Sequence, residues 1–75
     1  MNIQVKASIL RRHEALCYQI CYYYTQDDEL SIQAACEALL EVAHNSDFFT
    51  DTHEGQKKKV MLAAVRSTLK IEAIA

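Results

Sequence analysis

Seventy-five residues, with hydrophobic side chains at 51% and charged ones at 24%, make one domain at most and exclude a disordered chain. A formal net charge of −2 argues against a general nucleic-acid binder, because phosphate contacts need a net basic surface or a strong local patch. No apolar run approaches the roughly 18–20 residues of a membrane span, so no membrane partner is expected.

A chain this short buries only about 60% of the surface its unfolded form exposes, which leaves a thin margin of stability. There is no Pro, and Gly55 is the single Gly, a composition that favours helices with few tight turns. Val, Ile and Thr form no alternating runs, so strands are not expected. The three cysteines are Cys17, Cys21 and Cys36. An odd count without an apolar leader points to the reducing cytoplasm. The expectation is an all-α, compact three-helix domain over 1–75, with helices at about 3–25, 28–44 and 54–72.

In the first helix Ile9, Leu10, His13, Leu16, Cys17, Ile20, Cys21 and Tyr24 recur at helical spacing. Asn2 and Ser8 are both available as caps. Tyr22, Tyr23 and Tyr24 cover most directions around the last turn, so at least one of them belongs at the surface or in an interface. A short break over 25–28 makes the first two helices antiparallel neighbours, and Asp27 is the expected N-cap of the second. That central helix places Leu30, Ile32, Ala35, Cys36, Leu39, Val42 and Ala43 on its apolar face and Gln33, Glu37, Glu41 and His44 on the other.

The stretch 44–53 reads as the only real loop, with Asn45, Ser46 and Asp47 ending the central helix. Asp51 or Thr52 should cap the last helix, with Glu54 in capping-box position to Asp51. In that helix Met61, Val65, Thr68 and Leu69 form one stripe, with Ala64, Ile71 and Ile74 beside it. Lys59, Ala63, Arg66 and Lys70 form a second, basic stripe, and Lys57 and Lys58 add charge to the opening turn. Lysine there opposes the helix dipole, a hint that these side chains serve binding.

No catalytic set is present, and one Gly cannot build a phosphate-cradling loop. No enzyme and no cofactor are therefore expected. His13, Cys17 and Cys21 share a helix face that Cys36 could approach, but the paired-Cys turn of zinc sites is absent and buried Cys packs as a small hydrophobe. The basic stripe has two readings, a phosphate-contacting face or a solvated face that balances the acidic central helix. Phe48 and Phe49 likewise suit either an unstacked base or a core plug.

The order of these features resembles region 2 of bacterial RNA polymerase sigma factors, especially the extracytoplasmic-function type. LCYQICYYYTQDDE supplies an aromatic-rich helix end and acidic link. SIQAACEALLEV supplies the central helix, and KKKVMLAAVRSTLK the basic last helix. The likeness spans about 9–69. Gln33 stands where the family has an acid and Cys36 where it has a glutamine, and there is no Trp, so a divergent or stand-alone region 2 is what the resemblance implies. It implies that Gln33, Glu37 and Glu41 dock on the coiled-coil clamp of RNA polymerase core. It also implies that Asn45, Phe48, Phe49, Lys58, Lys59, Arg66 and Lys70 contact the promoter −10 element. A separate region 4 protein or an anti-sigma factor would be a further partner. The alternative from the residues alone is a small oligomerisation or adaptor module, a homo-oligomer joined through the tyrosines and the tail 71–74.

Overall fold

A computed structural model describes residues 1–74, and in it Asn2, not Ser8, opens the first helix. The Asn2 Oδ1 accepts the Val5 N–H at 2.9 Å, satisfying one of the free donors of the first turn. The helix expected over 3–25 is two helices, α1 (Ile3–Arg12) and α2 (Glu14–Thr25), broken at His13. No Gly or Pro causes the break. The His13 N–H donates to Leu10 O, one residue short of the α-helical partner, and its backbone sits at φ −109°, ψ 0°. This turn drives the His13 ring inward, where it is buried.

α2 ends at Gln26, which adopts the left-handed conformation with φ 54°. The Gln26 side chain donates to the carbonyls of Tyr22 and Tyr23, capping the helix end it terminates. Asp27 then caps α3 (Asp28–Ala43) as expected, accepting from the Leu30 N–H at 2.9 Å. The loop expected at 44–53 contains a short helix, α4 (Ser46–Thr50), capped by Asn45. α5 (His53–Ile74) starts on Thr52, whose hydroxyl accepts the Gly55 N–H. The Asp51–Glu54 capping box is not formed, because the Asp51 carboxylate turns to Lys59 instead.

The three-helix expectation describes the centre of the molecule: α2, α3 and α5 pack against one another pairwise, while α1 and α4 close one end. The core is built largely from small side chains, including Cys17, Cys21, Ala34, Ala35, Ala38, Ala63 and Ala64. Each pair of long helices is joined by a side chain that donates to a carbonyl of its neighbour. Cys17 Sγ reaches Ala35 O and Cys21 Sγ reaches Ala64 O, both weak donors. Ser67 Oγ donates to Ala34 O at 2.7 Å.

This packing rotates the helices away from the faces expected on size alone. On α3 the buried line is Ser31, Ala34, Ala35, Ala38 and Val42. Ile32, expected inside, is 55% exposed, and Cys36 is exposed as well. On α5 the buried line is Gln56, Val60, Ala63, Ala64, Ser67, Thr68 and Ile71, so Met61 and Leu69 face outward and Ala63 does not share the surface of the basic stripe. Close packing selects the small residues here; the large ones remain on the flanks.

Candidate protein-docking surfaces

Gln33, Glu37 and Glu41 are exposed, as expected, and follow one another at single-turn spacing along α3. Their neighbours across the groove are on α5. One stretch of the groove is lined by Glu37, Leu40, Glu41, His44, Arg66 and Lys70 among others. The stretch beside it brings Gln33 and Glu37 together with Lys70 and Ile74. The acidic row and the basic stripe, assigned to different partners by the resemblance, are therefore the two walls of one groove. Arg66 Nη2 bridges it to Glu41 Oε2 at 3.2 Å, with both side chains more than half exposed. An exposed pair of this kind contributes about 0–1 kcal/mol.

The residues that the resemblance assigns to promoter DNA do not come together as a free surface. Phe48 and Phe49 are buried and pack edge to face at 5.3 Å between centroids. Neither ring offers a face to a base, so the core-plug alternative is the one that matches the geometry. Phe49 also carries Lys6 over its ring, a cation–π contact. The Asn45 side chain accepts the Asp47 N–H to start α4. Lys59 bonds Asp51 at 2.9 Å, and that bond, with the Thr52 N–H, holds the Asp51 carboxyl below the usual carboxylate range. Lys58 and Lys70 are exposed.

His13, Cys17 and Cys21 are buried, whereas Cys36 is exposed on α3. His13 Nε2 bonds Gln56 Oε1 at 3.1 Å. Burial, reinforced by Cys21 beside it, pushes the Cys17 thiol up to about 12, which leaves it protonated and unreactive. Among the described residues no group of three or more His, Cys, Asp or Glu side chains is arranged to hold a metal ion, and no helix is long and apolar enough to cross a membrane.

Sequence reasoning missed the exposed apolar residues of these faces. Leu40 is 60% exposed beside the acidic row, and Leu62 of α5 lines a hollow with Lys59 and Arg66 of the same helix and Glu41 of α3. The available signal was the spacing of Ala34, Ala35, Ala38 and Val42, which marks a complete buried line without the larger residues. Comparison with protein-family models, with curated proteins and with solved structures found no match.

Proposed function

We propose that this chain is a non-catalytic docking domain that grips a basic helical partner along the α3 wall of the α3–α5 groove. The sigma-factor resemblance names that partner as the coiled-coil clamp of RNA polymerase core. One arrangement supports the reading: Gln33, Glu37 and Glu41 stand in an exposed row with the exposed Leu40 beside them. Carboxylates at single-turn spacing suit charge-assisted bonds from arginines on a facing helix, and an adjacent aliphatic side chain supplies the apolar anchor that such an interface needs. The Arg66–Glu41 bridge does not block this, because an exposed pair is cheap to exchange. Promoter contact forms no part of the proposal, since Phe48 and Phe49 are buried.

The test is retention on immobilised polymerase core at low salt, for the wild type, Glu37→Ala and Leu40→Ala. Wild-type retention is expected, with both variants weakened; loss of a charge partner at the centre of an interface costs about 2–5 kcal/mol. A wild type that fails to bind, or variants retained as well as the wild type, would remove the proposal.

A further inference from the structure

The large apolar side chains of this chain are unusually placed. None of the seven leucines, Leu10, Leu16, Leu30, Leu39, Leu40, Leu62 and Leu69, is buried, and neither is any of the four tyrosines. Single exposed apolar residues mean little, but a contiguous group marks a covered surface. The contiguous group lies between α2 and α5, away from the acidic row. Leu16, Ile20, Tyr23 and Tyr24 line one side of a groove there, and Met61 and Val65 the other. Gln19 completes the lining, so no charged residue touches the groove. Leu69, one turn beyond Val65 on α5, is 59% exposed.

We propose that this α2–α5 face is covered by the same face of a second copy of the chain, giving a two-fold dimer whose α3 edges stay free. Three observations select a second copy as the occupant. The groove carries no charge of either sign, so it gives a charged partner nothing to pair with. Knob and hole sit on the same face: Tyr23 is 73% exposed at the groove's rim, and the groove beside it is the apolar slot that a ring of this kind fills. That coexistence is what a self-complementary two-fold contact requires. The size also matches. A standard interface takes about 800 Å² from each partner, roughly one-sixth of the 5058 Å² surface of this chain. One long side of a body measuring 36 × 18 × 18 Å offers about one-fifth, so the contact extends past the uncharged groove onto the rest of that side. The exposed tyrosines suit the contact, since each buries a broad apolar plate while keeping its hydroxyl at the wet edge.

The experiment is sedimentation equilibrium of the full chain under reducing conditions, without polymerase. The wild type, Tyr23→Glu, Met61→Glu and Leu40→Glu are compared, and circular dichroism confirms that each is helical. All three positions are exposed, so none of the changes removes a buried contact. A wild-type dimer is expected, with the dissociation constant raised about 30-fold or more by Tyr23→Glu and by Met61→Glu and unchanged by Leu40→Glu. A monomeric wild type overturns the proposal, as does a dimer that resists both α2–α5 changes or is dissociated by Leu40→Glu. Because polymerase is absent, failure here is separate from failure of the clamp-docking proposal.

Discussion

Gln56 is the residue whose loss the fold should feel most for its size. It is 3% exposed on the first turn of α5 and reaches three elements at once. Its Nε2 donates to Phe48 O at 3.1 Å and to Asp51 O at 3.3 Å, while its Oε1 meets His13 Nε2. The two carbonyls fix which end of the amide is the donor, so His13 Nε2 must carry the proton it donates to Oε1. Gln56→Leu keeps the volume and removes every one of these bonds. The buried His13 N–H loses its partner, at about 1–3 kcal/mol for the stranded group, whereas the Phe48 carbonyl keeps the Asp51 N–H at 3.3 Å. Counting the lost carbonyl bonds and allowing for the apolar burial that Leu adds, a loss of about 1–3 kcal/mol follows. A chain of this length holds roughly 4–11 kcal/mol in total, so the loss is a large share of its stability. At about 4–8 °C per kcal/mol, the midpoint falls on the order of 5–25 °C. Thermal and urea unfolding followed by circular dichroism measure both quantities. Gln33→Leu, an exposed change on α3, serves as the control and should stay within about 0.5 kcal/mol. A Gln56→Leu loss no larger than that control would refute the idea that this amide ties the break at His13 to α4 and α5.

Three further expectations concern titrating and reactive groups. In a maleimide time course at neutral pH followed by mass spectrometry, Cys36 should label at once and Cys17 and Cys21 only as the chain unfolds, since the latter two are buried. The raised Cys17 thiol also binds its proton more tightly in the folded state, so its contribution to stability is present below 9.0 and is lost as pH rises toward about 12; urea midpoints from neutral to alkaline pH should fall, and less steeply for Cys17→Ala. Asp51 behaves in the opposite sense. Its folded carboxyl lies below 3.8, so the stability it brings is present above that value and disappears as acid drives the pH through the lowered one. Lys59→Ala should raise the Asp51 value toward 3.8, a change that two-dimensional NMR titration reads directly, and an unmoved Asp51 would show that Lys59 is not the cause.

What could be read from the sequence is what local chemistry decides. The all-α architecture, the break over 25–28 and the caps at Asn2, Asp27 and Thr52 all depend on residues within a turn of one another. The exposure of Gln33, Glu37 and Glu41 followed from helical period alone. The interruption at His13 could not be read that way, because its partner Gln56 is 43 residues away and no Gly or Pro marks the spot. The rotation of α3 and α5 escaped for a different reason. Hydrophobic period gives most weight to Ile32, Met61 and Leu69, whereas three helices drawn together through Cys, Ala and Ser bury the light residues and leave the heavy ones outside. The meeting of the acidic row with the basic stripe is likewise a product of packing: Glu41 and Arg66 become neighbours only when α3 and α5 lie side by side.

That meeting changes how binding at the groove should respond to ionic strength. A partner arginine that takes Glu41 must displace Arg66, so one ion pair is exchanged for another and added salt weakens both sides of the exchange alike. Glu37 has no such resident cation among the ion pairs of the described residues. In the proposed docking, salt sensitivity is then expected to rest on Glu37 almost alone, and to be shallower than a count of the carboxylates on α3 would suggest.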